Sequence, residues 1–193
     1  MTFAARLRSL SDLVASIDRK ALIALVAALL GLVLANVGTR LAGYTIAWAD
    51  ELAVYCMVWA GFVGAALMLR ARTAPAVSAL IRFTPPRAGA ALRAGASLAA
   101  ALFGALVIWT CWRWFDPVGI VSAGFDVTRF EAATFNFIYT QTTPVMGLPS
   151  VIFYAVLPWF GFGALVHATT NLLEDCGLLP RIDAADSAVT GEG

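Results

Sequence analysis

Long uncharged apolar runs alternate with short charged clusters along this chain. Ala21 to Thr39 carries no charge over 19 residues, Leu52 to Leu69 none over 18, and Ala94 to Trp112 none over 19. A further uncharged stretch runs for 42 residues, from Ala132 to Leu173. About 20 residues of helix cross a bilayer core, so the last stretch is too long for one crossing. Pro144 and Pro149 interrupt it, which starts the final helix near Pro149. Pro158 falls inside that helix and should kink it, as neighbouring helices allow. The pattern predicts an all-α integral membrane protein with four transmembrane helices, at about 21–39, 50–69, 93–112 and 149–173.

The connections have patterns of their own. Leu7, Leu10, Val14 and Ile17 recur at helical spacing among Arg6, Arg8, Ser9 and Asp12. Residues Phe3 to Ile17 thus read as an amphipathic surface helix or as a frayed, Ala-rich leader. Val77, Leu80 and Ile81 precede Thr84-Pro85-Pro86 and suggest a short interfacial helix ended by the prolines. The loop at about 113–148 contains turn signals at Asp116-Pro117, Gly119 and Gly124. Thr128 and Glu131 then have capping-box spacing, predicting a helix from about Arg129 to Tyr139. Residues from about 183 to 193 are small and polar and predict a disordered tail. The first apolar run is long, begins after 20 residues and lacks a small-residue cleavage site, which argues against a cleaved signal peptide.

Basic residues set the expected orientation. Ten Arg and Lys fall on the side of the termini and the middle loop, and three, Arg40, Arg113 and Arg129, on the other. This split places both termini in the cytoplasm.

Composition agrees with the pattern. Of the 193 residues, 61% are hydrophobic and only 13% charged, where a soluble domain has about 25% charged. The net charge of +1 gives no basic field for nucleic acid. One His and three Cys supply neither paired haem ligands nor a CxxC metal site, so no cofactor is implied. The cysteines read as free thiols. His167 reads as a helix-contact residue, and no nucleophile–base constellation surrounds it; the chain is not expected to be an enzyme. No ladder of carboxylates crosses a span, and the helices look too dry for a transport path.

One acidic pair stands out. Asp50 and Glu51 open the second span beside Trp48, and Glu51, Tyr55, Trp59 and Phe62 share a helical face. A carboxylate at a helix start is favoured by the dipole, so Glu51 is either a simple helix-start residue or the partner of a cation on another helix or subunit. Gly61 and Gly64 lie among small residues at the spacing that lets membrane helices approach closely.

Three segments together resemble a known family. Trp48-Ala49-Asp50-Glu51-Leu52-Ala53-Val54-Tyr55 is followed by Val58-Trp59-Ala60-Gly61-Phe62-Val63-Gly64-Ala65-Ala66 and by Leu69-Arg70. Gln141-Thr142-Thr143-Pro144-Val145-Met146-Gly147-Leu148-Pro149 leads into a helix with Tyr154 and Pro158. These stretches resemble the small membrane subunit, DctQ-like, of tripartite ATP-independent periplasmic (TRAP) transporters. The chain departs from the usual pattern at Val54, where a basic residue is common, and at Arg72-Thr73-Ala74-Pro75, where a Gly-His pair often follows the Arg.

The resemblance implies a bacterial inner-membrane protein that scaffolds a large permease subunit. It implies transient docking of a periplasmic substrate-binding protein and ion-gradient-driven uptake of an organic acid. Trp48, Glu51, Tyr55, Trp59, Gly61, Gly64, Tyr154 and Pro158 would then face the large subunit, with membrane lipids around the bundle. Asp50, Asp126, Arg129, Glu131, Gln141, Thr142 and Thr143 would face the binding protein. The rival reading is a self-contained homo-oligomeric transporter that exchanges protons at Glu51.

Overall fold

In the computed structural model, residues 3–73 and 83–180 are described. The helix expected around Val77 to Ile81 and the tail from about 183 lie outside them. Seven helices occur among the described residues: α1 Phe3–Leu41, α2 Ala47–Arg70, α3 Pro86–Phe115, α4 Pro117–Ser122, α5 Val127–Thr134, α6 Val151–Tyr154 and α7 Val156–Asp175. Four spans, with α6 and α7 counted together, are long and apolar enough to cross a membrane.

The first helix departs from the expected division into a surface helix and a separate span. It is continuous over 39 residues, about 58 Å at 1.5 Å per residue. Nothing between Ile17 and Ala21 breaks a helix, since Asp18-Arg19-Lys20 carries neither Gly nor Pro. Its end is set by Gly43 at φ +83°, where the Tyr44 N–H turns back to the Thr39 carbonyl at 2.8 Å. The second helix ends in the same manner, but Arg72 takes the left-handed position at φ +55°. Its guanidinium compensates, as described below.

Proline starts the third helix at Pro86, where a missing N–H costs nothing. Proline also interrupts the fourth span. Pro158 cannot donate to the Tyr154 carbonyl, and the helix breaks at Ala155, between α6 and α7.

The spans alternate in direction. One end of the bundle, the terminal end, gathers the starts of α1 and α3 and the ends of α2 and α7. The other, the loop end, holds residues 41–47 and 113–150. The seventh helix touches α1, α2 and α3, and the remaining close pairing is α1 with α2. The bundle is thus two hairpins joined through α7. In the most apolar window of each span, 39% of residues are buried for α6–α7 but 6% for α1, which makes α7 the core element. Its seam with α3 is tight. A Cβ at Gly104 would come within 2.7 Å of the Leu165 backbone nitrogen, so only glycine allows this approach.

Candidate functional site

The loop end begins with Asp116, which serves two helices. It closes α3 in a left-handed conformation (φ +40°) and caps α4 by accepting from the Gly119 N–H at 3.0 Å. A side chain at Gly119 would run into that carboxylate and the Phe130 ring. Asp126, an Asp preceding a helical turn, caps α5 by accepting from the Thr128 and Arg129 N–H groups at 3.0 and 3.1 Å.

The helix therefore starts at Val127 rather than at a Thr128 capping box. It stops at Thr134 rather than Tyr139, because Phe135 turns left-handed and Asn136 forms a local turn with the Ile138 N–H. The loop is then tied to the last carbonyls of α3. Asn136 Nδ2 donates to Trp114 O and the Tyr139 hydroxyl donates to Phe115 O, each at 2.6 Å. Those carbonyls have no partner within their own helix. Burial, and secondarily the Asp116 charge, push the Tyr139 hydroxyl pKa up.

Residues 141–149 fold into a tight turn with a bridge between Thr142 and Pro149. Thr143 is buried inside it, its hydroxyl accepting from the Leu148 N–H at 3.0 Å. Gln141 and Thr142 are exposed, as is Arg129, while Glu131 is half-buried. Glu51 holds the tip. Its carboxylate accepts from the Val145 N–H at 3.2 Å and the Met146 N–H at 2.7 Å. The sequence left Glu51 as a helix-start residue or as the partner of a cation elsewhere. Its partners are backbone amides of its own chain. Asp50, one residue away, pairs with Arg40 at 2.6 Å and also accepts from Asn36.

The face carrying Tyr55 and Trp59 is also engaged within the chain. Tyr55 stacks on Phe153 with centroids 3.8 Å apart. Trp59 Nε1 donates to the Phe153 carbonyl at 2.9 Å, beside the helix break. Tyr154 packs its ring 5.0 Å from that of Trp114. Pro158 is half-buried and Trp48 half-exposed. By contrast Gly61 and Gly64 meet nothing: a Cβ on either would have no atom within 4 Å. Val54, Met57, Val58, Gly61, Ala65 and Met68 form an exposed stripe along α2, away from α1 and α7.

Two polar groups of features escaped the sequence reading. Along the α1–α7 seam, the Ser11 hydroxyl bonds His167 Nδ1 at 2.8 Å, and Trp159 Nε1 donates to Asp18 at 2.8 Å. Ser11, Asp18 and His167 are fully buried. At the terminal end, Glu174 bridges Arg70 at 3.2 Å and Arg72 at 3.1 Å. Asp175 meets Arg72 at 2.7 Å and Ser97 at 2.9 Å, and Asp12 meets Arg70 at 2.8 Å. The helices are less dry than their composition implies. The available signal was that α2 and α7 end in opposite charges, Arg70 and Arg72 against Glu174 and Asp175. Cys56, Cys111 and Cys176 are free thiols. Among the described residues no group of three or more His, Cys, Asp or Glu side chains is placed to hold a metal ion.

Four apolar helices joined at one end by an ordered loop define a multi-pass membrane protein of the helical-bundle class. Its family follows from residues 29–177, which match the DctQ component of tripartite ATP-independent periplasmic transporters. The match covers most of the chain, and the protein belongs to this family as a small component of such a transporter. Neither a curated protein nor a solved structure matches it.

Proposed function

We propose that this chain scaffolds the large permease subunit of its transporter and presents a landing surface to the periplasmic substrate-binding protein. The transporter takes up an organic acid, driven by an ion gradient, across the bacterial inner membrane. The termini are cytoplasmic and the loop end periplasmic, following the basic-residue asymmetry.

The observation that carries the reading is the division of labour on α2. One face, with Glu51, Tyr55 and Trp59, is used up inside the chain. The opposite stripe is apolar, small at Gly61 and Ala65, and uncovered. Small residues exposed at that spacing suit close packing by a partner helix. At the loop end, Gln141, Thr142 and Arg129 are exposed on a turn and a helix fixed from below, which suits a surface that a soluble protein visits and leaves. The rival proton-exchanging transporter needs Glu51 free to exchange, and its tie to Val145 and Met146 counts against that role.

The test is to substitute Gly61→Leu and Ala65→Leu together. Both positions face open space or solvent in this chain, so its helical content should persist. Co-purification with the co-expressed large subunit should fall several-fold. Full co-purification would remove this stripe from the subunit interface.

A further inference from the structure

The chain leaves α3 at Asp116 and comes back to the same helix terminus at Asn136. Asn136 Nδ2 reaches the Trp114 carbonyl and the Tyr139 hydroxyl reaches the Phe115 carbonyl, each at 2.6 Å. Residues 117–137 therefore form a collar tied to the end of α3 on both sides.

The depth of the collar follows from that helix. The charge-free run of α3 ends at Trp112 and Arg113 follows it, and Trp109, Trp112 and Trp114 are exposed around these last turns. Tryptophans gathered at the end of a span beside a cation mark the boundary between hydrocarbon and headgroups. No residue intervenes to lift the collar away from this boundary, because Asp116 both ends α3 and caps α4. With six residues, α4 would reach only about 9 Å even if it pointed straight outward. Phe135 and Phe137 are each one Cα step, about 3.8 Å, from Asn136. The headgroup layer is itself about 5–8 Å thick on each side of the bilayer.

What the collar turns outward is apolar. Val118, Val121, Phe125, Phe135 and Phe137 are exposed, Phe125 by 73% and Phe135 by 80%. These two phenylalanines follow the ends of α4 and α5 in left-handed conformations, at φ +62° and +54°, where glycine or asparagine is the usual occupant. Neither the backbone nor packing inside the chain calls for a large ring at either place. The polar groups, by contrast, are folded back on the backbone. Ser122 donates to the Gly119 carbonyl, Thr134 to the Phe130 carbonyl and Thr140 to the Phe137 carbonyl. Asn136 uses both its amide nitrogen and its amide oxygen within the loop and helix end. The Asp116 and Asp126 carboxylates accept from amide N–H groups, and Glu131 is half-buried. The exposed cations at this level are Arg113 and Arg129.

We infer that the collar is seated in the headgroup layer of the bilayer, with its phenylalanines and valines dipping into lipid and its arginines meeting lipid phosphate. Three properties select lipid rather than protein as the occupant. The collar begins where the membrane-covered length of α3 ends, so headgroups are its neighbours at that depth. Among the described residues α3 pairs closely with α7 alone, and the α2 stripe proposed for the large subunit belongs to the other hairpin. Finally, exposed phenylalanines edged by arginines have the make-up of an interfacial segment, whereas the hydroxyls and amides that a soluble partner would bond are already engaged. The inference rests on the membrane-spanning fold and not on the docking role. It leaves the landing surface to Gln141 and Thr142, with Arg129 at its edge.

Spin labelling of the assembled transporter in nanodiscs tests this. With Cys176→Ser and the buried Cys56 and Cys111 left in place, a nitroxide is attached at Phe125→Cys, Phe135→Cys or Val118→Cys, and at the exposed Thr142→Cys for reference. Val118→Cys keeps both rings and decides the matter where a phenylalanine variant fails to assemble. Power saturation compares collision with oxygen, which concentrates in lipid, and with a water-soluble nickel chelate. A seated collar gives an oxygen-to-nickel ratio several-fold higher at the collar positions than at Thr142. Nickel collision as frequent as at Thr142 places the collar in water and overturns the inference. Weak collision with both reagents means that protein covers the collar, and overturns it equally.

Discussion

The two ends of the bundle are fastened by different chemistry. At the terminal end, side chains from α1, α2, α3 and α7 converge in one charged network. The Glu174 carboxylate is fully buried there between Arg70 and Arg72. At the loop end, the charges act mainly on backbone. Asp116, Asp126 and Glu51 each accept from amide N–H groups, and the one ion pair there among the described residues, Arg40–Asp50, is half-exposed. The difference teaches what each end does. Charge paired with charge locks helices to one another, whereas charge spent on amides shapes a surface without tying up its outward side chains.

The contrast is most open to attack at Glu174. Glu174→Gln leaves two arginines facing a neutral group in a buried site, a change that costs on the order of 3–5 kcal/mol when a buried pair is broken. The purified protein should show a clearly lowered melting temperature and a poor folded yield. Wild-type thermal stability would mean that the network merely decorates helices already fixed by packing.

An intermediate effect is expected at Glu51. Hydrogen bonds to a charged acceptor contribute about 1.5–3 kcal/mol, so Glu51→Ala should free the tip of the 141–149 turn while the helices persist. Amide exchange at Val145 and Met146 should accelerate, and Glu51→Gln should fall between the two. If exchange at these amides stays at the wild-type rate, the turn holds itself through Thr143 and Leu148, and Glu51 is only a helix-start residue.

Asp50→Asn should do least. The Arg40 pair is half-exposed, and such pairs contribute about 0–1 kcal/mol. Asparagine keeps an acceptor for Asn36. Assembly and melting should be nearly unchanged; a loss comparable to that at Glu174 would erase the distinction between the two ends.

The spans were legible because hydrocarbon forbids unpaired charge, so Lys20, Arg40, Arg70 and Arg93 bracket apolar runs. The break before Pro158 was legible because a missing N–H has one structural meaning. The inward faces were not. On α1 the apolar repeat Leu7, Leu10, Val14 and Ile17 pointed to an amphipathic surface helix and gave no sign that Ser11 and Asp18 face the bundle, yet these two are buried while Leu10 and Ile17 are exposed. In a bilayer, apolar side chains need no shelter and polar ones do, which reverses the rule that reads a soluble helix. The start of α5 was misplaced for another reason. Asp126 and Thr128 both offer a side-chain acceptor two residues apart, and only the backbone geometry decides between them.

Asp116 has a mechanical consequence. One residue ends α3 and begins α4, so no slack lies between the long helix and the loop it carries. Asn136 and Tyr139 then clamp the far part of the loop to the same helix terminus. A turn of α3 about its axis must therefore swing residues 117–139 as a crank swings its handle. Slack inserted at this joint would uncouple the two only if the Asn136 and Tyr139 clamps were removed as well, leaving the helix free to rotate while the loop stayed where it was.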